Sequence, residues 1–186
     1  MLLKDPVERT LSGYLHHIAH QSLDVNVPLL AAPGRLGLLA LSRYGHHLRH
    51  WLKVFPAEQL LVLPDPQGEN TQQILQHCCR FLDIDDQHHF AQSGQTVFPG
   101  LLRLRRDDGL WVALGQRGVE DVTRIQRPLP LMNFEGRDYV RLVHAAEIAR
   151  IKHMLSDDMA NFIQQLKQHN INSEAFAHWQ VLGNSD

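Results

Sequence analysis

The 186 residues, 44% hydrophobic and 20% charged, are enough for one domain with a real core and too few to expect two. A net charge of −2 at pH 7 excludes a general pull toward nucleic acid or anionic lipid. Fourteen of the eighteen basic residues are Arg, whose planar fork suits phosphate, sulfate or carboxylate, although GC-rich codons and surface solubility are the plainer account of the excess.

The opening "MLLKDPVER" reaches a charge and a proline at once, so no signal peptide is visible. Leu2 and Leu3 read as the tail of a strand. Asp5 suits an N-cap, Pro6 the first helical position and Glu8 the acid of a capping box. Leu11, Leu15, Ile18 and Ala19 then form an apolar stripe, which predicts a helix to about Gln21. "NVPLLAAPGRLG" reads as a loop. The most apolar stretch, Val27 to Leu41, is broken by Pro28, Pro33, Gly34 and Arg35 and cannot be a membrane span.

A second helix is predicted from Leu36 to Val54, with Tyr44, Leu48, Trp51, Leu52 and Phe55 on its buried face and Pro56 stopping it. "EQLLVL", 58 to 63, reads as a buried parallel strand. "DPQGEN" is a turn in which Asn70 caps a third helix to about Leu82, burying Ile74, Leu75, Cys78 and Phe81. "LLRLRRDDGLWVAL" reads as a hairpin with Asp108-Gly109 at the turn. Residues 115 to 138 look loop-like, and two helices are predicted over 139–154 and 157–168, Ser156 capping the second. "SEAFAHW" adds a short turn. With no repeat or linker, strands mixed with helices predict a single α/β domain.

Cys78 and Cys79 are adjacent, rarely a disulfide spacing, so the context reads as reducing and cytoplasmic. Among the thirteen His, His16/His20 and His46/His50 have the i, i+4 spacing that can bind zinc. No Glu or third ligand accompanies them, and they read better as wet helix faces; no metal site is predicted. His16 or His17 as a general base and Cys78 as a nucleophile are weaker readings.

One junction carries more chemistry. Arg9 and Ser12 are three apart and share a helix face, and a helix N-terminus adds partial positive charge. A guanidinium, a hydroxyl and a helix end suit a phosphate monoester. A solvated Arg and a small packing Ser would look the same.

"LLKDPVERTLSGYLHH" resembles the 3′-phosphate-binding segment of PAPS-dependent sulfotransferases, with Asp5, Pro6, Arg9, Ser12 and Tyr14 in register. "SRYGHHLRHWLKVFPAEQLLVL", 42 to 63, is similar to the helix and strand that follow in that family, the carbohydrate sulfotransferases especially. "ILQHCCRFLDID", 74 to 85, resembles the next helix end. The likeness covers residues 1 to 85 well and the C-terminal helices weakly. It implies a partial sulfotransferase-type (P-loop-NTPase-like) parallel sheet flanked by helices, with a β-hairpin insertion and C-terminal helices.

It also implies that Arg9 and Ser12 hold the 3′-phosphate of PAPS, that Tyr14 supports their helix by packing, and that the segment near Tyr44 lies by the acceptor cleft. Lys4 stands where the family has Arg, keeping the charge and losing the fork. Arg117, in "LGQRGVED", is the counterpart of a late Arg-containing loop that closes over the nucleotide, with poorly matched spacing. After "LLVL" the family has a Glu-containing segment, for which Asp65 or Glu69 are imperfect stand-ins. The family's Lys-rich Ser/Thr-Gly loop for the 5′-phosphosulfate has no counterpart here, and its general base would lie before Met1. The resemblance therefore implies the C-terminal part of a sulfotransferase domain, truncated at its N-terminus.

The implied activity is transfer of a sulfuryl group from PAPS, as co-substrate and without a metal, to a hydroxyl or amine of a saccharide or small metabolite, inactive in this chain alone. The alternative is a non-catalytic remnant acting as an interaction protein, and a third is a His-rich metal binder. The partners implied are PAPS or PAP and a small acceptor, with self-association through an exposed sheet edge.

Overall fold

The computed structural model describes residues 1–65, 71–91, 100–120 and 122–182. Along the chain run β1 (Leu2–Leu3), α1 (Pro6–Ala19), α2 (Tyr44–Trp51), β2 (Leu63–Pro64), α3 (Thr71–Phe81), β3 (Arg103–Arg106), β4 (Gly109–Ala113), β5 (Leu131–Phe134), β6 (Arg137–His144) and α4 (Ala145–Gln168), with 3-10 turns between them. The protein is mixed α/β: among the described residues it has four helices, a parallel pair and a four-stranded antiparallel sheet. It divides into two compact units, both discontinuous in sequence. The first is Met1–Pro6, Tyr44–Phe98 and Asp157–Asp186; the second is Val7–Arg43 and Pro99–Ser156.

In the first unit β1 and β2 pair in parallel, Leu2 opposite Leu63 and Leu3 opposite Pro64. The Leu63 amide donates to the Met1 carbonyl at 2.9 Å and the Asp65 amide to the Leu3 carbonyl at 2.7 Å. "EQLLVL" supplies less strand than its apolar run predicts. Ala57–Gln59 form a 3-10 turn after Pro56, and the ladder begins only at Leu63, although Val62 and Leu63 are both buried.

Helix α2 is shorter than predicted. Gly37 takes a left-handed φ of 64°, and 3-10 turns at Gly34–Leu36 and Ala40–Ser42 occupy the stretch read as its first turns. At its start the Gly45 and His46 amides donate to the Asp158 carboxylate at 2.8 and 2.9 Å, a negative charge on the positive end of a helix. Gly45 is needed there, because a Cβ would lie 2.4 Å from the Asp158 carbonyl oxygen. Tyr44 and Leu48 are buried as the stripe requires and Leu52 is half-buried, whereas Trp51 and Phe55 are exposed and stack on each other at 5.3 Å.

In α3 the buried residue is Cys79, not Cys78, and Phe81 is 39% exposed. The predicted cap, Asn70, lies outside the described residues. The first unit's core is aromatic: Phe162 meets Phe176 edge-on at 5.3 Å, and Phe176 meets Trp179 at 4.8 Å.

The second unit is built on the order β3-β4-β6-β5. The predicted hairpin is present, but Arg106 pairs with Gly109, so the loop is Asp107-Asp108 and Gly109 opens β4. Gly109 has a φ of 145°, and a Cβ there would lie 2.1 Å from the Val143 carbonyl oxygen.

Part of the segment read as loop, and the start of the first predicted C-terminal helix, form a second hairpin, β5–β6. Its turn is Glu135-Gly136 with φ of 50° and 75°, the two positive values a two-residue turn between twisted strands needs. Tyr139, Val140 and Val143 favour strand over helix. Helix α4 then runs unbroken through the predicted break. Ser156 does not begin a helix; its hydroxyl donates back to the His153 carbonyl at 2.8 Å.

The alternation of β4 sorts its side chains. Leu110 and Val112 join Val140 and Leu142 of β6 in a core closed by Leu11, Tyr14, Leu15 and Ile18 of α1 and by Ile148, Ile151 and Leu155 of α4. Trp111 and Ala113 point the other way, with Tyr139.

Candidate functional site

The sequence "DPVER" starts α1 at Pro6 as its capping chemistry requires, and Arg9 and Ser12 lie half-buried on it. The Arg9 guanidinium is tethered: Nη1 donates to the Leu38 carbonyl at 2.8 Å and to that of Gly37 at 3.4 Å. Thr10 is buried beside it, with its hydroxyl 2.8 Å from that of Ser42. Gly13 lets the 37–38 segment approach, since a Cβ would lie 3.2 Å from Leu38 Cδ2 and 3.9 Å from Arg9 Nη1. The residues around Arg9 are thus fixed by a buried hydroxyl pair and backbone carbonyls.

Tyr14 supports α1 as expected. It is fully buried, its hydroxyl donates to the Val27 carbonyl at 2.7 Å, and burial pushes its pKa up to about 12, the Glu147 charge adding to the rise and the Arg127 guanidinium opposing it.

Arg103 is a residue that sequence reasoning passed over. Its Nη2 lies 3.4 Å from Glu8 Oε2, forming an ion pair at the first turn of α1. The signal was the alternation Arg103–Leu104–Arg105 along β3, which turns Arg103 and Leu104 to opposite faces.

The remaining candidates lie elsewhere. Lys4 belongs to the first unit, where its carbonyl accepts a hydrogen bond from the Tyr44 hydroxyl at 2.9 Å. Arg117 has a left-handed φ of 60°, and its carbonyl accepts from the Leu102 amide at 2.6 Å. It borders a cleft of about 360 Å³ with Arg124, Glu120 and Gln21, and neither Arg9 nor Ser12 is among the described residues of that lining. Arg9 and Ser12 therefore share a helix, and Arg117 faces a separate cleft of the same unit.

The histidine pairs sit as i, i+4 spacing dictates, with ring centroids 4.3 Å apart for His16/His20 and 4.5 Å for His46/His50. Among the described residues no three His, Cys, Asp or Glu gather to hold a metal ion, and no helix is long and apolar enough to cross a membrane.

The fold and site define a class no finer than a mixed α/β protein with a fixed cationic side chain on the first turns of a helix. No family model, curated protein or solved structure matches the chain.

Proposed function

We propose that this chain is a sulfotransferase-type protein that binds the 3′-phosphate of PAPS or PAP with Arg9 and Ser12. The observation that carries the reading is the placement of these two side chains on one helix, three apart, directly after the D-P-x-E start, with the Arg9 guanidinium held in place. The positive end of α1 adds to the local field, while Arg103 is paired there with the Glu8 carboxylate. Lys4 and Arg117 are candidates on resemblance alone; Lys4 belongs to the first unit and Arg117 borders a separate cleft of the second. The parallel β1–β2 pair is compatible with a sulfotransferase-type sheet, whereas the four-stranded sheet is antiparallel.

The full reaction would move a sulfuryl group from PAPS to a hydroxyl or amine of a saccharide or small metabolite, with charge developing on the leaving 5′-phosphate. A Lys-rich Ser/Thr-Gly loop that would stabilise that charge is absent from the 186 residues. Loss of one such donor typically costs about 100- to 1000-fold in rate. This chain alone is therefore expected to bind PAP without turning over PAPS.

A few charge-assisted hydrogen bonds of about 1.5–3 kcal/mol each, set against the entropy of association, place PAP affinity near the millimolar range. The test is calorimetric titration of PAP into the wild-type chain and into Ser12→Ala and Arg9→Ala, with a radiolabelled-PAPS assay beside it. Wild-type binding that both variants lose, without turnover, supports the reading. Equal binding by all three proteins removes these residues from the site.

A second reading, a non-catalytic interaction protein, is favoured by the apolar side chains the first unit exposes, Leu2 at 57%, Val54 at 72% and Leu82 at 63%.

A further inference from the structure

The most apolar stretch of the sequence, Val27 to Leu41, meets the phosphate reading only through the Gly37 and Leu38 carbonyls that hold Arg9. In the structure it does not close into a helix. It folds as the 3-10 turns Leu29–Ala31, Gly34–Leu36 and Ala40–Ser42, which border a half-open cavity of about 260 Å³ within the second unit. Its walls are Leu29, Leu30, Leu38, Leu39 and Ile151. Thr10 also borders it, but its hydroxyl is engaged by that of Ser42 at 2.8 Å. Among the described residues of the lining, Arg43 is the one charged side chain, and it is exposed.

Apolar walls with one guanidinium define the ligand chemistry. The walls take hydrocarbon, and the planar fork takes a group with two equivalent oxygens. A space of about 260 Å³ limits the ligand to a short unbranched chain. We infer that this cavity binds a small amphiphilic anion, a single carboxylate on an unbranched chain of about eight carbons, its tail between the turns and its head on Arg43. Neither Arg9 nor Ser12 is in the described lining, although Leu38, whose carbonyl holds Arg9, is.

The test is calorimetric titration of octanoate, hexanoate and octan-1-ol into the full chain and into Arg43→Gln and Ala32→Phe. Ala32 is a half-buried wall residue whose enlargement fills the cavity. Each buried methylene adds about fourfold to affinity, so octanoate should bind roughly 15-fold more tightly than hexanoate. It should also bind at least about tenfold more tightly than octan-1-ol, which lacks the charge. Arg43→Gln should erase the preference for octanoate over octan-1-ol and leave octan-1-ol binding unchanged. Ala32→Phe should abolish both at an unchanged melting temperature; if that variant unfolds, Arg43→Gln, a change at an exposed side chain, still decides. Absence of saturable octanoate binding, or a preference for the carboxylate that survives Arg43→Gln, overturns the inference. PAP binding that fails while octanoate binds, or the reverse, separates the two readings.

Discussion

The two units close their sheets by different means. In the second unit both hairpins close through two-residue turns, and all five residues of β4 are buried. In the first unit the pairing joins Leu2 to Leu63, segments far apart in sequence, over two residues of strand each, and its core rests on an aromatic cluster instead. Antiparallel pairing is specified locally by turn chemistry, whereas parallel pairing is specified only by distant contacts. The second unit should accordingly carry its stability in its strands and the first in its helices and aromatics.

The largest effects test that contrast. Leu142→Ala in β6 should cost about 2–5 kcal/mol and Phe162→Ala in the aromatic core about 3–5 kcal/mol by urea unfolding, both sites being almost fully buried. Phe81→Ala, at a side chain 39% exposed, should cost less, about 1 kcal/mol. Equal losses at Phe81 and Leu142 would break the comparison. Next, Gly45→Ala forces a Cβ onto the Asp158 backbone and should cost about 1–3 kcal/mol. If it melts like wild type, α2 and the second half of α4 do not pack as closely as described.

Smaller effects sharpen the account of the second unit. Tyr14→Phe removes the hydrogen bond to Val27 and should cost about 1 kcal/mol at pH 7. The phenol's folded pKa, about 12, lies above its unfolded value of about 10, so its contribution is full below about pH 10 and is lost as pH rises toward 12. Chemical denaturation from pH 8 to 11 should show a decline in wild type that is reduced in the Phe variant.

The smallest effect belongs to Asp108, on the loop of the first hairpin. Its carboxylate accepts from the Trp111 indole N–H and from Arg141, each at 2.8 Å, and these bonds, the indole's first, hold its pKa below the ordinary carboxylate value. A lowered folded pKa gives stability that is present above about pH 4 and lost as pH falls further. Asp108→Asn should flatten the acid limb of the melting profile below about pH 4, and an unchanged limb would remove Asp108 from that account.

The sequence made some of this legible. The α1 start, the β3–β4 hairpin, the buried Tyr44 and Leu48 and the terminal turn follow from capping, turn residues and periodicity. The β5–β6 hairpin did not, because Glu135-Gly136 is a weak turn signal and β5 exposes Leu131 and Phe134, which blurs the alternation. The continuity of α4 was hidden because Ser156 reads as a cap in sequence, and its hydroxyl satisfies itself within the helix.

At the candidate site, the sequence gives the spacing of Arg9 and Ser12 but not the carbonyls of Gly37 and Leu38 that fix the guanidinium, since these lie on a segment with no regular periodicity. Arg117 looked like a companion of Arg9, but side-chain placement depends on long-range packing, and it borders a different cleft.

The central claim is that this helix recognises a 3′-phosphate. It is tested most directly by comparing the affinities of adenosine 3′,5′-bisphosphate and adenosine 5′-monophosphate, which differ only in that group, for the wild-type chain and for Ser12→Ala. The account predicts that the bisphosphate binds at least about tenfold more tightly to wild type, as one charge-assisted hydrogen bond implies, and that the advantage shrinks in the variant. Equal affinities for the two nucleotides in the wild-type chain would contradict it.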